Sequence, residues 1–580
     1  MKETFYVGLA TTFHDPALAV VDSRGEIVFA EASERYLQDK RAICCAADVR
    51  QTVRRVLREH CDPKARFVIA KPWSRKMSRF MNFQAALGLT RHEALPKRPG
   101  GMTRYLVDKH GLFTALWQQQ TSFNLSGGHI ADILRADHGN TDVHFAHFNH
   151  HLAHAANAAY TSAFEEALCM VVDGQGEWGS ISYYHYREGR LKLLDRVKGA
   201  ESLGILYAVS TSLCGFDPEK GEEWKVMGLA PYGKLDEEIL AAYRSLVEVD
   251  GLQIRYPSLP EIETWFVRMR RWARPADAPP MAAADLAHTA QVFYAEVMDT
   301  LLTNLHRLGL SDHLVLGGGC GLNSSYNGRI AGGPTGFTAV HIPSAPSDDG
   351  NAIGCALLAW IDEHPGQRRP VAVQSPYLGA GIAPAALENL VRFGRISSMR
   401  HCPGTVHEET ARRLAEGKLV AWMQGRAEFG PRALGNRSIL ADPRPPEMKE
   451  KINALVKFRE EFRPFAPSIL DEHGPEYFEN YQVSPYMERT LTFTPCAEEK
   501  VPAIVHVNRT GRLQSVRREW NPRYYDLISA FADLTGVPML LNTSLNIMGK
   551  PIVHSVEDAI GLFYTSGLDV LVIGDYLFEK

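Results

Sequence analysis

Short apolar runs, each followed by a polar turn, open the chain and return later in it. Residues 5–10, 17–21 and 27–30 are almost wholly apolar and are predicted as strands. About 160 residues later, the region 167–194 repeats the order of strand, acidic turn, strand, turn and strand. The repeat predicts a duplicated α/β fold, in which two sheets face each other across a cleft and both acidic turns point into it.

The middle of the chain carries a helical pattern and a glycine-rich loop. Apolar residues recur at spacings of three and four over 285–306, which predicts an amphipathic helix, and an apolar strand at 313–316 follows it. The glycine run 317–321 then precedes a further helix, so its backbone N–H groups could hold a phosphate. Tight turns use the same residues, however, and the Gly-Lys-Ser/Thr ending of a P-loop is missing.

A change in composition predicts two domains. Proline, glycine and charged residues replace the apolar pattern at 366–379, which is typical of a linker between a domain over 1–365 and a second domain over 380–580. Residues 64–130 are irregular and locally basic. We expect the wider irregular segment 42–140 to shape a substrate pocket.

Charge balance and cysteine spacing exclude several classes of protein. Among 580 residues, 63 Lys and Arg stand against 67 Asp and Glu, so bulk positive charge does not hold this protein on a nucleic acid. Hydrophobic residues make up 45%, enough to bury large cores. The nine cysteines lack CxxC spacing, which argues against a disulfide framework or zinc site and favours a cytoplasmic location. No run of about 18 apolar residues occurs, and the chain starts directly in a strand, so neither a membrane span nor export is expected.

Two histidines are spaced to share one divalent ion. His150 and His154 stand at i and i+4 in an alanine-rich helical segment, so both imidazoles lie on one face. Asp173 begins the second acidic turn, and Asp348 precedes another predicted helix, where it could simply cap. The two histidines could instead only cap the helix or pack in the core, because short motifs often match by chance. Two His with one or two Asp would form a mixed N/O site suited to Fe, Mn or Zn.

The second predicted domain concentrates arginines in apolar and turn-rich segments. These segments are 424–438, 453–459 and 462–468. Arginines on a solvated helix would be the simplest explanation, but the apolar residues between the charges predict partial burial. Since buried cations need anions and no matching acidic segment accompanies them, a polyphosphate ligand is the natural counter-charge.

Together these segments resemble the O-carbamoyltransferases of the family that includes nodulation protein U and the cephamycin, tobramycin and ansamycin carbamoyltransferases. The resemblance spans nearly the whole chain. It rests on the Phe13-His14-Asp15 turn, HHLAHAANAAY, VVDGQGE, KVMGLAPYG, GGGCGLN, SDDG, GRAEFGPRALGNRS, VKFREEFRPFAPS and LNTSLN.

The resemblance implies an N-terminal duplicated actin/hexokinase/Hsp70-like (TsaD-like) domain and a C-terminal YrdC-like α/β domain. It also implies that the C-terminal domain forms carbamoyl adenylate from carbamoyl phosphate and ATP (with Mg). The carbamoyl group would then pass to a hydroxyl of a small-molecule natural product, at a site holding Fe(II) or a similar divalent metal.

Residue roles carried over by motif are likewise implications of the resemblance. The implied metal ligands are His150, His154, Asp173 and Asp348. The implied nucleotide pocket consists of Gly317, Gly318, Gly321, Asn323 and Lys225. The implied activation site consists of Arg426, Arg432, Arg437, Lys457, Arg459, Arg463, Arg512 and Asn542. His14 and Asp15 are candidates for accepting the proton of the attacking hydroxyl, and Lys40 for stabilising the oxyanion.

Two other functions stay open. The duplicated fold also hosts small-molecule kinases, which do not need the HxxxH pair, and tRNA-modifying threonylcarbamoyl transferases, which the near-neutral charge disfavours. We expect a small-molecule acceptor and neither a nucleic-acid nor a membrane partner, with a homodimer left open. The sequence does not choose among aminoglycoside, macrolactam, oligosaccharide and saxitoxin-like guanidinium acceptors.

Overall fold

The computed structural model describes residues 3–77, 79, 123, 125–199, 201–367, 372–396 and 398–580. Much of the segment expected to shape a pocket, and residues 368–371 of the predicted linker, lie outside the described residues. The domain boundaries and the pocket-shaping role therefore stay predictions.

The described strands form four sheets, of five, two, five and nine strands. They are β1 (Thr4–Ala10), β2 (Ala17–Val21), β3 (Ile27–Ala32), β4 (Arg66–Lys71), β5 (Val143–His147), β6 (Glu166–Val172), β7 (Gly179–Arg187), β8 (Arg190–Lys198), β9 (Glu248–Asp250), β10 (Gln253–Arg255), β11 (His313–Gly317), β12 (Ala339–His341), β13 (Met399–His401), β14 (Val420–Met423), β15 (Arg437–Ala441), β16 (Ala466–Leu470), β17 (Arg489–Thr492), β18 (Thr510–Val516), β19 (Met539–Ser544), β20 (Val570–Ile573) and β21 (Tyr576–Glu579).

Helices connect and cover these strands. They are α1 (Ser33–Leu37), α2 (Arg50–His60), α3 (Gly128–His138), α4 (His150–Tyr160), α5 (Leu203–Leu213), α6 (Glu223–Leu229), α7 (Glu237–Leu246), α8 (Leu259–Met269), α9 (Ala284–His306), α10 (Ser324–Asn327), α11 (Asn351–Glu363), α12 (Pro384–Phe393), α13 (Val406–Ala415), α14 (Met448–Ile452), α15 (Gly474–Tyr477), α16 (Pro495–Lys500), α17 (Pro522–Thr535) and α18 (Val556–Thr565). Short 3-10 turns include Lys40–Ala42, Pro218–Lys220, Gly319–Leu322 and Asp348–Gly350, and Asn453–Lys457 forms a π-turn.

Two five-stranded sheets share one topology. Their strand orders are β3-β2-β1-β4-β5 and β8-β7-β6-β11-β12. In each sheet an antiparallel meander of three strands is extended by two strands that run parallel to its first strand. The predicted duplication and the actin/hexokinase/Hsp70-like fold class are confirmed by this repeated order.

Helix α11 packs tightly against both α4 and β1. Two glycines permit this approach, because a Cβ on Gly354 would lie 1.9 Å from the Ala153 carbonyl oxygen, and one on Gly8 would lie 1.8 Å from the Ala352 carbonyl oxygen. The surrounding core is rich in alanine, including Ala155 and Ala356. The close packing sets the start of α4 beside the start of α11, which is where the candidate metal ligands lie.

The C-terminal part is a mixed sheet of nine strands, in the order β13-β21-β20-β14-β15-β19-β16-β18-β17. Helices such as α13, α17 and α18 bury apolar faces against it. A mixed sheet covered by helices confirms the α/β class predicted for the C-terminal part. Within the described ranges, no helix combines the length and apolar character needed to cross a membrane.

Candidate active site

Helix α4 carries both histidines of the HxxxH motif into the cleft. Asn149 caps the helix by accepting a hydrogen bond from the Leu152 N–H at 3.1 Å. His150 and His154 follow within the first two turns and are almost completely buried. Their Nε2 atoms lie 3.2 Å apart, so both rings face one point.

Two carboxylates face the same point from other elements. Asp173 follows β6, and its Oδ2 atom lies 3.1 Å from His150 Nε2. Asp348 opens the turn before α11, and its Oδ1 atom lies 3.2 Å from His154 Nε2. One ligand atom from each of the four residues lies within 4.8 Å of all the others. The structure therefore brings the four predicted metal ligands together.

The two carboxylates of this cluster favour positive charge at its centre. Burial opposes protonation of the imidazoles, but hydrogen bonds and charge from Asp173 and Asp348 outweigh it and raise the pKa of His150 to about 10. The same contacts hold the pKa of Asp173 well below its ordinary value despite burial. A set of two imidazole nitrogens and two carboxylate oxygens fits a borderline divalent ion such as Fe(II).

Neighbouring groups fix the two rings. His154 Nδ1 lies 3.1 Å from the Pro346 carbonyl oxygen, which leaves Nε2 facing the cluster. Trp73 stacks on His150 with ring centroids 4.8 Å apart, and the Asn351 amide lies 3.1 Å from His154 Nε2. Sequence reasoning missed Trp73 and Asn351, because neither belongs to a spaced motif of ligand types.

The first acidic turn also reaches the cluster. His14 Nδ1 lies 2.8 Å from Asp15 Oδ2 and 3.8 Å from Asp348 Oδ2. Burial and the nearby charge of Arg41 both act to lower the pKa of His14. The carboxylates of Asp15 and Asp348 outweigh them, so the pKa is raised from its ordinary value. Asp15 has a positive φ of 56°, which turns the loop so that the pair faces the cleft. The first acidic turn thus reaches, through Asp348, the same cluster that contains Asp173 of the second turn.

One cavity of about 2060 Å³ connects this cluster with the C-terminal cations. Near the cluster it is lined by His14, Asp15, Lys40, His150, Asp173 and Asp348. Further along it is lined by Asn323, Lys225, Arg432, Lys457, Arg459, Arg463, Arg512 and Asn542. Residues far apart in the sequence, from both halves of the chain, therefore share one chamber.

The glycine loop meets the cavity differently from the prediction. Gly319 and Cys320 line the cavity, whereas Gly317, Gly318 and Gly321 do not. Gly318 has φ of +88°, and a Cβ there would lie 2.2 Å from the Val172 carbonyl oxygen. These three glycines allow close packing of the loop, while the Gly319 N–H donates to Asp173 Oδ1 at 3.1 Å.

The C-terminal cations are desolvated and mostly lack carboxylate partners. Burial lowers the pKa of Arg459 to about 9 and those of Arg463 and Arg512 to about 10. Lys457 donates from Nζ to the Ser544 carbonyl oxygen at 2.5 Å and to Asn546 Oδ1 at 2.7 Å. Such a concentration of buried positive charge favours binding of a polyanion.

A buried carboxylate shapes the loop that carries Arg432. Glu428 Oε1 accepts hydrogen bonds from the backbone N–H groups of Leu434, Asn436 and Arg437 at 2.7, 2.7 and 3.1 Å. The loop closes around this oxygen, and Arg432 is left at the cavity wall.

Arg426 and Arg437 do not line this cavity, in contrast to the prediction. Arg426 donates to the carbonyl oxygens of Gly379, Val28 and Leu378. Arg437 is fully buried and donates to the carbonyl oxygens of Gln424 and Ala380. Arg426 thus links the two halves of the chain through Val28, whereas the acceptors of Arg437 all lie in the C-terminal half. The charge pattern of the sequence does not distinguish such structural roles from ligand binding.

Comparison with known families agrees with this two-part site. Residues 6–357 match the model for the carbamoyltransferase N-terminus, and residues 411–580 match the model for the carbamoyltransferase C-terminus. The chain belongs to the carbamoyltransferase family. The prediction of a carbamoyltransferase, and hence of an enzyme, is confirmed at the level of the family.

Two nodulation proteins show how this carbamoyltransferase-family chain relates to curated proteins. It is 36% identical over 440 residues to NolNO of Sinorhizobium fredii (strain NBRC 101917 / NGR234), covering 74% of this chain and 63% of NolNO. It is 36% identical over 443 residues to NolO of Bradyrhizobium diazoefficiens, covering 74% of this chain and 79% of NolO. The chain thus spans less than two thirds of NolNO.

Among solved structures, HypF from T. kodakarensis matches over 64% of this chain and 50% of the HypF chain, with 13% identity and a TM-score of 0.32. The repeated sheet order described above, rather than this likeness, establishes the fold of the carbamoyltransferase-family chain.

Proposed function

We propose that this protein is an ATP-dependent O-carbamoyltransferase acting on a hydroxyl of a small-molecule natural product. The observation that carries the proposal is the single cavity shared by the His/Asp cluster and the desolvated C-terminal cations. A polyanion fits one end and a divalent cation fits the other. Family membership supplies the transferred group, which is carbamoyl.

The activation step belongs to the cationic end. Carbamoyl phosphate and ATP react there, with one water consumed, to give carbamoyl adenylate, phosphate and pyrophosphate. Arg432, Arg459, Arg463 and Arg512 neutralise the phosphates, and Lys457 contributes a further positive charge. Exclusion of bulk water limits the loss of the reactive carbamoyl group.

The transfer step belongs to the His/Asp end. His150, His154, Asp173 and Asp348 would hold the metal, which as a Lewis acid would polarise the carbamoyl carbonyl. His14, oriented by Asp15, accepts the proton of the attacking hydroxyl. Lys40 lines the same chamber and stabilises negative charge on the carbonyl oxygen. AMP leaves, and the acceptor carries a carbamate ester.

The nucleotide product tests this proposal. The full-length protein is incubated with ATP, Mg(II), carbamoyl phosphate and a panel of hydroxylated acceptors of the four candidate classes. We expect AMP, pyrophosphate and an acceptor heavier by one carbamoyl group, all followed by mass spectrometry. Steady formation of ADP with a phosphorylated acceptor would contradict the proposal and indicate a kinase. Carbamoyl transfer to tRNA in preference to every small acceptor would contradict the substrate class.

A further inference from the structure

In the wall of the cavity, one carboxylate contacts cations from both halves of the chain. Glu460 Oε1 lies 3.0 Å from Lys225 Nζ, on α6 of the N-terminal half. Glu460 Oε2 lies 2.7 Å from an NH2 atom of Arg463, in the C-terminal half. Lys225 Nζ is also 2.7 Å from Glu222 Oε1, so the contacts form a chain of four alternating charges.

Helix α6 also contacts Arg463, the last of these four charged residues. The Arg463 guanidinium lies over the Trp224 ring, 4.0 Å from its centroid, and Trp224 directly precedes Lys225. Lys225 and Arg463 are both buried. The position of Arg463 is therefore determined by Glu460 on one side and by the N-terminal half on the other.

The other cations of this end have no such carboxylate. Within the ranges that the structure covers, Arg432, Lys457, Arg459 and Arg512 form no ion pair with Asp or Glu, whereas Arg463 pairs with Glu460. Lys457 and Arg459 instead contact neutral oxygens of Ser544, Asn546 and Asn453. A polyphosphate that binds these cations must share Arg463 with the Glu460 carboxylate.

We propose that Glu460 is an internal counter-anion of the activation site, which positions Arg463 and Lys225 and competes with polyphosphate for both. The inference rests on the proposed function, because it takes the cationic end as the site of polyphosphate binding. It follows that the negative charge of Glu460 weakens polyphosphate binding and favours release of pyrophosphate. It also follows that occupancy of Arg463 changes the contacts of Lys225, in the half that carries the His/Asp cluster.

Binding of pyrophosphate to the full-length protein provides the first test. Glu460→Gln keeps the shape of the side chain but removes its charge, so we expect pyrophosphate to bind at least about fivefold more tightly. Glu460→Asp retains the charge and should restore weaker binding. Glu461→Gln is the matched control, since Glu461 is the exposed neighbour and does not line the cavity. Titration calorimetry measures all four proteins.

Steady-state kinetics separate positioning from a general structural effect. For Glu460→Gln we expect the KM for ATP to fall and kcat to fall with it, because pyrophosphate is retained. A merely destabilised variant would lose kcat without tighter pyrophosphate binding, and thermal unfolding of each variant measures that loss directly.

Three outcomes decide the inference. Tighter pyrophosphate binding by Glu460→Gln, reversed in Glu460→Asp, supports it. Equal dissociation constants for Glu460→Gln and Glu461→Gln overturn it while leaving the activation site intact. Failure of the wild-type protein to bind pyrophosphate at all contradicts the activation site itself, and the inference falls with it.

Discussion

The buried carboxylate of Glu31 forms an ion pair with the partly exposed Arg55, with 3.0 Å between Glu31 Oε2 and an NH2 atom of Arg55. The other oxygen, Oε1, accepts a hydrogen bond from the Ala380 N–H at 3.0 Å and lies 3.4 Å from His554 Nδ1. Arg55 NH1 contacts His554 Nε2 at 3.1 Å. The carboxylate thus joins β3 and α2 to two segments of the C-terminal half.

This carboxylate predicts a defined dependence of stability on pH. Burial opposes its ionisation, but His554, Arg55 and the Ala380 N–H outweigh burial and lower the pKa of Glu31 from 4.5 to about 2. Since the pKa is depressed on folding, the stabilisation is complete above about pH 4.5 and is lost as the pH falls toward 2. This lowering of the Glu31 pKa corresponds to about 3 kcal/mol in the free energy of unfolding.

We therefore expect Glu31→Gln to lower the free energy of unfolding by about 3 kcal/mol at pH 7, and by progressively less below pH 4.5. Thermal midpoints of both proteins, recorded at one scan rate across this range, measure the difference. Glu26→Gln, on the exposed side of the same hairpin, is the control and should change little. A difference between wild type and Glu31→Gln that stays constant with pH would contradict the assignment.

Arg437 and Arg512, both in the C-terminal half, should differ in whether they support stability or activity. Arg437→Met leaves several buried carbonyl oxygens without a donor, so we expect a loss of about 3 kcal/mol in stability. Arg512→Met removes a guanidinium at the cavity wall whose Nε has no partner among the described residues, and should cost little stability. Its loss should instead abolish carbamoyl-phosphate-dependent release of pyrophosphate. Equal thermal midpoints for the two variants would show that this division is wrong.

The fold was largely predictable because its apolar runs are short and clearly bounded. The helix predicted at 285–306 is Ala284–His306, and the strand predicted at 313–316 is His313–Gly317. The repeat of strand and acidic turn predicted the two matching sheets, since the same local pattern folds to the same local topology. The order of the nine C-terminal strands follows no such repeat and depends on long-range pairing.

The candidate site was predictable only where its residues carry a local signature. His150 and His154 share one helix face, so their spacing alone places them together. Arg432 and Arg437 are five residues apart in one glycine-rich segment, yet only Arg432 lines the cavity, because Glu428 folds the loop between them. Trp73 stacks on His150 and Glu460 contacts Lys225, partners distant in sequence that no local pattern indicates.

Metal removal should abolish transfer, and Fe(II) should restore it better than Mg(II). The reason is that two imidazoles and two carboxylates favour borderline ions over hard ions, which prefer all-oxygen ligands. Elemental analysis should show bound metal in the wild-type protein and in His144→Ala, an exposed-histidine control, but not in His154→Ala. Full product formation by chelated protein, with its metal content verified as absent, would exclude a metal role in transfer.

The last prediction separates the two ends of the cavity. Lys457→Ala removes a positive charge that contacts Ser544 and Asn546, so it should stop formation of carbamoyl adenylate. It should leave transfer from synthetic carbamoyl adenylate largely intact, because the His/Asp cluster is unchanged. His154→Ala should do the reverse: pyrophosphate release continues for at least one turnover, but little carbamoyl reaches the acceptor. Acceptor carbamoylation by each folded variant, supplied with the synthetic adenylate, is the measurement. Because one cavity joins both ends, a loss of transfer shared equally by the two variants would mean that activation and transfer use the same residues rather than two neighbouring sites.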